Sequence, residues 1–377
     1  MQKLKVGIIC GGKSAEHEVS LQSAKNIYEA MDKEKFIPFL IGIEKNGRWI
    51  FKPPGGAGDF ILDSEDPAKI HLAPVNYDAV LPSKGEGNFL IYRNRPALEP
   101  SPRPEAPEVL HLDVIFPVLH GPFGEDGTVQ GLLKLAEIPF VGSGVLGSAA
   151  GMDKDVMKRL LRDGGIPIGK FMVLRDWEPI LSFAEVSEKL GTPVFVKPCN
   201  MGSSVGISKV HDEESFRRAL TTAFAYDTKL ILEENIRGRE IECSVLGNED
   251  PRVSLPGEIR AHRDFYSYEA KYIDAAGAAL EIPAKLSPAQ VRTIKTLAVK
   301  TFQVLECHGL SRVDFFLTED GRALVNEINT MPGFTKISMY PKLWEASGIS
   351  YTELITRLIE LALARFEKEK KLKTSHG

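Results

Sequence analysis

Three residues near the end of the chain carry side chains that bind hard metal ions, and their spacing predicts that they meet. Asp314, Glu327 and Asn329 supply carboxylate and amide oxygens, which Mg²⁺ prefers together with substrate phosphates. The pattern predicts two strands and the hairpin turn between them, at 313–317, 323–328 and 318–322. Side chains alternate along strands, so the three residues share a face, with Arg312 beside them to meet a transferring phosphoryl group. The alternative is a surface hairpin whose charges face water.

A second candidate site is a lysine followed by a loop of small residues. Lys197 ends a predicted buried strand, and Gly202, Ser203, Ser204 and Gly206 follow before the chain returns as a strand. Backbone N–H groups in such a loop can cradle phosphates, and the lysine supplies a point charge. The alternative is an ordinary β-hairpin with a flexible tip.

Further charged residues could bind the same ligand. Lys154 stands at the start of a predicted helix, where it could meet a second phosphate, although a solvent-facing lysine is the alternative. Glu233 and Glu234 end an apolar strand, and we expect this strand end to meet the edge of a purine.

One N-terminal segment matches the P-loop expression, but in the wrong structural context. Residues 7–14 fit the pattern G-x-x-x-x-G-K-[ST]. In a P-loop the four variable residues form a loop after a strand. Here residues 8–11 are the apolar core of the predicted strand itself, so we interpret the match as accidental.

Composition narrows the protein class. The chain has 377 residues, 43% hydrophobic and 26% charged, with a formal net charge of -4. This length favours two or three domains, and this charge gives no case for nucleic acid or an anionic membrane as partner. Neither a transmembrane run nor a signal-peptide pattern is present in the sequence. The four cysteines have neither zinc nor disulfide spacing, which favours free thiols in the cytoplasm.

Three units position these residues. Residues 1–142 alternate strands and helices, which predicts a parallel α/β domain with a loop-rich insertion of short antiparallel strands at about 44–110. Residues 143–236 and 237–377 predict two smaller α+β domains, the second with a lid at about 260–280. Helices are predicted at 20–31, 128–136, 152–163 and 351–366, strands at 36–43, 114–119, 193–198, 229–234 and 240–246, and a solvated tail from 368.

Seven segments, taken in order, resemble the ATP-grasp superfamily and, within it, the D-alanine–D-alanine ligase family. They are residues 11–20, 120–128, 142–144 with 152–154, 197–206, 266–272, 312–314 and 326–333. The resemblance covers the chain except for the insertion and the last ten residues, and the ordered set is far more specific than any piece. It implies the ATP-grasp fold, with an N-terminal parallel α/β domain followed by two α+β domains that sandwich ATP.

The resemblance also implies a reaction. ATP phosphorylates the carboxylate of one D-alanine, and the amine of a second D-alanine attacks the acyl phosphate, which yields D-alanyl-D-alanine for peptidoglycan precursors. Such catalysis is mostly positioning and charge neutralisation. The implied requirements are ATP, two Mg²⁺ ions or Mn²⁺ in their place, and D-alanine. The implied setting is a homodimer in the cytoplasm.

Each candidate residue then has an implied role. Around the first D-alanine these are Glu16 and His120, with Ser203, Tyr266 and Tyr272 shaping the pocket. Around ATP they are Lys154, Lys197, Lys271, Ser203, Ser204, Glu233, Glu234 and Glu240. The metal ligands are Asp314, Glu327 and Asn329. Arg312 and the N–H of Gly333 form an oxyanion hole, and Ser338 and Met339 lie where the second carboxylate binds.

Other functions remain as alternatives. A D-alanine–D-lactate ligase, or a ligase for another D-amino or hydroxy acid, would share the fold, but relatives with the lactate preference lack a residue like Tyr272, and residues 266–272 are intact. A non-catalytic nucleotide-binding protein would be expected to have lost a metal ligand or Arg312, and all are present. A dehydrogenase is disfavoured because no G-x-G-x-x-G opens the first helix.

Overall fold

A computed structural model describes residues 2–53, 60–63, 66, 69–93, 106–261 and 278–373. Most of the predicted lid, with Tyr266, Lys271 and Tyr272, therefore lies outside the described residues.

The N-terminal part of the chain forms a seven-stranded mixed sheet. The strands up to residue 118 are β1 (Leu4–Gly11), β2 (Phe36–Ile43), β3 (Trp49–Phe51), β4 (Ile61–Leu62), β5 (His71–Leu72), β6 (Tyr77–Val80), β7 (Asn88–Arg93), β8 (Glu108–His111) and β9 (Val114–Val118). The sheet order is β8-β7-β6-β3-β2-β1-β9, while β4 and β5 pair separately. Strand β1 is parallel to β2 and β9, and the insertion strands continue the sheet antiparallel.

Helices cover both faces of this sheet. The described helices are α1 (His17–Ala30), α2 (Thr128–Leu135), α3 (Val145–Met152), α4 (Lys154–Asp163), α5 (Phe183–Leu190), α6 (Glu213–Phe224), α7 (Pro288–Val304), α8 (Met339–Ala346) and α9 (Tyr351–Glu369). Alternation along β1 sends Val6, Ile8 and Cys10 into a core with α1 and α9, and Ile9 into a second core with α2. The last helix of the chain therefore packs on the first sheet.

A second, four-stranded antiparallel sheet has its own core. Its strands are β10 (Phe171–Arg175), β11 (Val194–Pro198), β12 (Ser208–Val210) and β13 (Lys229–Glu234), in the order β10-β13-β11-β12. Apolar residues of these strands pack against α5 and α6. Each of the two helices begins with a capping box, Ser182 with Glu185 and Asp212 with Ser215.

A third antiparallel sheet completes the structure. Its strands are β14 (Gly238–Gly247), β15 (Arg252–Val253), β16 (Gly257–Ala261), β17 (Ala278–Glu281), β18 (Gly309–Thr318) and β19 (Ala323–Asn329). The order is β17-β16-β14-β18-β19, and β15 pairs with β14. One face packs on α4 and α7. The domain boundaries at 142 and 236 stay predictions, and both positions fall between sheets.

The structure confirms most predicted elements and corrects three. Strands 36–43 and 229–234 are confirmed to the residue. The first helix starts at His17, earlier than expected. The helix expected at 152–163 is interrupted at Asp153, whose side chain accepts a hydrogen bond from the N–H of Val156 (3.0 Å) and so caps a new helix. The last helix continues to Glu369, into the expected tail. Helix α3, which precedes Asp153, and helices α5 to α8 were not predicted.

The structure also settles two smaller points. Strand β1 runs through Gly11, which confirms that residues 8–11, the variable part of the P-loop match, lie on a strand. Within the described ranges, no helix combines the length and the apolar character needed to cross a bilayer.

Candidate active site

A cavity of about 570 Å³ is lined by β11 and β13 of the second sheet, by β14, β18 and β19 of the third, and by loops that follow β1 and β9. Every predicted site residue that the structure describes lines it. These are Glu16, His120, Lys154, Lys197, Ser203, Ser204, Glu233, Glu234, Glu240, Arg312, Asp314, Glu327, Asn329, Gly333, Ser338 and Met339.

The β18–β19 hairpin places the predicted metal ligands on one face. Asp314 lies opposite Glu327 in the ladder, and Arg312 lies opposite Asn329. The guanidinium of Arg312 donates to both carboxylate oxygens of Asp314 at 2.7 Å, and Nδ2 of Asn329 donates to Oδ2 of Asp314 at 3.1 Å. The predicted hairpin and its shared face are confirmed.

These oxygens fit a hard cation. Two carboxylates and an amide, completed by phosphate or water oxygens, make the donor set that Mg²⁺ usually takes. In the part of the chain that the structure describes, no three His, Cys, Asp or Glu side chains converge as a metal site. The candidate centre therefore depends on Asn329 and on oxygens from a bound ligand.

Glu242 is a cavity residue that the sequence analysis did not single out. It lies opposite Asp314 in the β14–β18 ladder, and its carboxylate is 2.8 Å from Nε of Arg312. Arg312 is therefore held between two carboxylates. Alternation along β14 puts Glu240 and Glu242 on the same face, which is a pattern that could have identified it.

On the opposite wall, Glu16 meets the glycine–serine loop. Glu16 is buried at the start of α1 and accepts a hydrogen bond from the hydroxyl of Ser203. A Cβ on Gly202 would lie 3.1 Å from Oε2 of Glu16, so the loop lies directly against this carboxylate. Ser203 and Ser204 have φ values of 49° and 62°, a left-handed conformation that costs non-glycine residues energy and is concentrated at functional sites.

The loop after β9 is bound to the loop after β19. His120 donates from Nδ1 to the carbonyl of Met331 (3.0 Å), and no described residue pairs with its buried Nε2. Burial lowers the pKa of His120 despite the nearby charge of Glu16, which favours the neutral ring. Its Nε2 is therefore a hydrogen-bond acceptor on the cavity wall.

Glu125 reinforces this connection, although no role was predicted for it. Its carboxylate accepts hydrogen bonds from the N–H groups of Gly121 (2.8 Å) and Met331 (3.3 Å). Burial, and then the charge of Glu16, raise the pKa of Glu125 to about 8, against the effect of these two N–H groups. The loop that carries His120 is thus fixed relative to the loop that carries Gly333.

Ser338 packs against that second loop. Its hydroxyl accepts a hydrogen bond from the N–H of Thr335 at 2.9 Å. A Cβ on Gly333 would lie 2.8 Å from Oγ of Ser338, so a larger residue there would displace the Ser338 hydroxyl. The predicted oxyanion residue and the predicted residue for the second carboxylate are therefore neighbours.

The predicted nucleotide side contains buried lysines. Lys154 donates from Nζ to the carbonyl of Met201 at 2.6 Å. Nζ of Lys197 lies 2.7 Å from Oε2 of Glu233, and Nζ of Lys158 lies 2.6 Å from Oε1. Burial alone would lower the pKa of Lys197, but the charge of Glu233 and the hydrogen bond to it, together with the charges of Glu327 and Glu240, raise that pKa. Burial would raise the pKa of Glu233, but the two lysines hold it far below its ordinary value.

Lys158 was not among the predicted residues. It follows Lys154 by four residues, so both lie on one face of α4, and that spacing could have identified it. Glu234, the neighbour of Glu233, accepts a hydrogen bond from the N–H of Lys170 (2.6 Å) at the cavity rim.

Comparison with known proteins identifies the family. Residues 5–143 match the family model of the D-ala D-ala ligase N-terminus, and residues 160–360 match that of the C-terminus. The chain belongs to the D-alanine–D-alanine ligase family. The D-alanine–D-alanine ligase of Oceanobacillus iheyensis is 52% identical over all of this chain and 99% of its own length. D-alanine–D-alanine ligase A of Escherichia coli K12 is 52% identical over the whole of both chains.

Solved structures agree with this assignment. The VanG D-Ala:D-Ser ligase of Enterococcus faecalis is 34% identical with a TM-score of 0.82, over 96% of this chain and 100% of its own. The D-alanine–D-alanine ligase of Bacillus anthracis complexed with ATP is 28% identical with a TM-score of 0.70, over 98% and 100%. As a D-alanine–D-alanine ligase family member, the chain has the ATP-grasp fold and belongs to a family of ATP-dependent ligases.

Proposed function

We propose that this chain joins two D-alanine molecules into D-alanyl-D-alanine, with ATP converted to ADP and phosphate, for peptidoglycan precursors. The observation that carries the proposal is the single cavity lined by all described candidates for both amino acids and the nucleotide. Family relatives that match along the whole chain carry the name of this activity.

The charged residues of the cavity fit an acyl-phosphate mechanism. A carboxylate is a poor electrophile, and phosphorylation by ATP gives it a leaving group. Lys154 and Lys197 neutralise phosphate charge, while Arg312 and the N–H of Gly333 stabilise the oxyanion formed when the second amine attacks. Mg²⁺, or Mn²⁺, held by residues of the β18–β19 hairpin would supply further charge neutralisation at the phosphates.

The first D-alanine binds beside Glu16 in this scheme. Its ammonium pairs with the Glu16 carboxylate, which Ser203 orients, and the Nε2 acceptor of neutral His120 faces the same space. In this scheme Glu16 and His120 bind the first D-alanine and take no part in the transfer of the phosphoryl group. Tyr266, Lys271 and Tyr272 lie outside the described residues, and their roles stay predictions from the resemblance.

The nucleotide binds between the second and third sheets in this scheme. We place the purine against Glu233 and Glu234, the ribose against Glu240, and the phosphates against Ser203, Ser204 and the two lysines. The metal ligands would be Asp314, Glu327 and Asn329, with two ions as the expected number.

The acceptor amino acid is the point at which relatives on this fold differ. We place the second carboxylate against Ser338 and the backbone of Met339. The decisive experiment measures phosphate release from ATP with D-alanine alone, and then with D-serine, D-lactate or L-alanine added, with products identified by mass spectrometry. D-alanine alone should support turnover and yield the dipeptide. Equal turnover with L-alanine, or product only with D-lactate or D-serine, would contradict the proposal.

The setting of the reaction is also a proposal. All four cysteines are free and buried, as expected in the reducing cytoplasm. A homodimer follows only from the family resemblance, and sedimentation at several concentrations would test it. Metal titration of ATP binding would count the ions.

A further inference from the structure

A lysine–glutamate–lysine triad, formed by Lys158, Glu233 and Lys197, lies on the wall of the nucleotide cavity. Each oxygen of the Glu233 carboxylate is paired with one lysine, at 2.6 Å and 2.7 Å. The side chains are exposed by only 3% for Lys158, 9% for Glu233 and 15% for Lys197. The proposed mechanism assigns roles to Glu233 and Lys197 but none to Lys158, the most buried of the three.

Lys158 reaches the triad from a different structural unit. It lies on α4, whose Met157 and Leu161 pack in the core of the third sheet. Glu233 and Lys197 lie on β13 and β11 of the second sheet, which has a separate core. The Lys158–Glu233 pair therefore crosses the cleft between the two sheets.

Simple attachment of α4 to the second sheet does not require such a pair. Burying charges is costly, and apolar residues of similar size often make an equally stable contact. Asp153 and Lys229 already join the start of α4 to β13, at 2.6 Å. A buried triad beside a cavity is better explained by what Glu233 presents to the ligand.

A carboxylate held in its ionised form can only accept hydrogen bonds. Each oxygen of Glu233 uses one lone pair for a lysine and keeps another. An amino group on a purine can donate a hydrogen bond to a Glu233 oxygen. A carbonyl oxygen at the same position of the purine would repel the carboxylate and leave the Glu233 oxygen without that hydrogen bond. The two ammonium groups keep Glu233 ionised, as its depressed pKa indicates.

We propose that Lys158 is a positioning residue for nucleobase selectivity, which orients Glu233 as an acceptor for the 6-amino group of adenine. The proposal rests on the proposed function in one respect, the placement of the nucleotide between the second and third sheets, beside β11 and β13. Without Lys158, Glu233 has only Lys197 as a partner, so it would turn toward that lysine and away from the base.

The test compares ATP with inosine triphosphate, which carries a 6-oxo group in place of the 6-amino group. In Lys158→Met we expect the KM for ATP to rise about tenfold or more, and the ratio of kcat/KM for ATP over inosine triphosphate to fall about tenfold. The kcat with ATP should change by less than about threefold, because the chemistry lies elsewhere. Lys158→Arg should restore most of the ratio. Lys134→Met, on the exposed surface of α2, is the matched control and should match the wild type.

The outcomes separate this inference from the proposed function. A folded Lys158→Met protein with an unchanged ATP preference overturns the role of Lys158, even if Glu233→Gln loses that preference. Should Lys158→Met fail to fold, Lys158→Gln removes the charge that holds Glu233 ionised. The same ratio should then fall, and an unchanged ratio overturns the role of Lys158. If the wild type makes no dipeptide, the proposed function fails, but calorimetric binding of the two nucleotides still tests Lys158.

Discussion

Replacement of Glu242 by glutamine should slow catalysis without weakening substrate binding. Glu242 and Asp314 hold the Arg312 guanidinium from two sides, with contacts of 2.8 Å and 2.7 Å. The substitution keeps the shape of the side chain and removes its charge. Arg312 is expected to act on the oxyanion that forms during the reaction, so its mispositioning should appear in kcat.

The size of the effect follows from the lost charge. A hydrogen bond between charged groups contributes about 1.5–3 kcal/mol, and one with a neutral partner about 0.5–1.5 kcal/mol. The side chains are 8% and 20% exposed, so solvent screens the pair only weakly. The difference, about 1–1.5 kcal/mol, corresponds to roughly a tenfold fall in kcat. If Asp314 also binds a cation, Arg312 depends more on Glu242, and the larger value applies.

Steady-state phosphate release at saturating ATP, D-alanine and Mg²⁺ measures this effect. The matched control is Glu258→Gln, because Glu258 is 5% exposed and binds Arg239 at 2.6 Å in the same sheet. Glu258 is not among the residues that line the cavity. Glu258→Gln should lower the melting temperature and keep kcat. Equal kcat in the two variants would refute the role given to Glu242.

Three further predictions test other parts of the site. Calorimetry should show that Lys197→Ala weakens ATP binding by roughly 1.5–3 kcal/mol, and that exposed Lys13→Ala weakens it by less than about 1 kcal/mol. The opposite ranking would place the nucleotide on the N-terminal sheet. Glu327→Gln should lower turnover by a factor on the order of 10² with little change in melting temperature, and near-normal activity at saturating Mg²⁺ would exclude it as a ligand. Glu125 has a pKa raised from 4.5 to about 8, so the folded state holds its proton longer than the unfolded state and stability falls as pH rises through that window. Between pH 5 and 8 the melting temperature should therefore fall less steeply with pH for Glu125→Gln than for the wild type. Equal slopes in the two proteins would contradict the raised pKa.

Local pattern was sufficient to predict some strands to the residue, but several elements of the fold, helix α3 among them, were not predicted. Continuous apolar runs predicted β2 and β13 to the residue. Helix α3 was missed because two glycines in eight residues lower helix propensity. Its Gly147 lies so close to the backbone of Glu306 that a Cβ would be 2.5 Å from the carbonyl oxygen. A tertiary contact that only glycine allows thus outweighs the local preference, and the sequence pattern does not contain it.

Local sequence pattern likewise predicted some contacts of the candidate site and not others. Alternation along two neighbouring strands predicted that Asp314 meets Glu327, because both sides of a hairpin are close in the chain. Lys158 and Glu233 are 75 positions apart in the chain, and no local spacing relates them. Lys158 lies on α4, which packs on the third sheet, whereas Glu233 lies on a strand of the second sheet. Such pairs follow from how the units dock, and docking depends on the shapes of whole cores.

The packing of the last helix on the first sheet affects how the chain is made. Strand β9 ends at Val118 and α9 begins at Tyr351, so roughly 230 residues, or about 10–50 s of synthesis, separate the sheet from this part of its cover. During that time the apolar face around Val6 and Ile8 has α1 on it but lacks α9, so part of this core is open to neighbouring nascent chains. Ribosomal pausing or chaperone capture would act most strongly in this interval. A truncated mRNA that ends before α9 would therefore yield an aggregation-prone fragment, even though every catalytic candidate had already been translated.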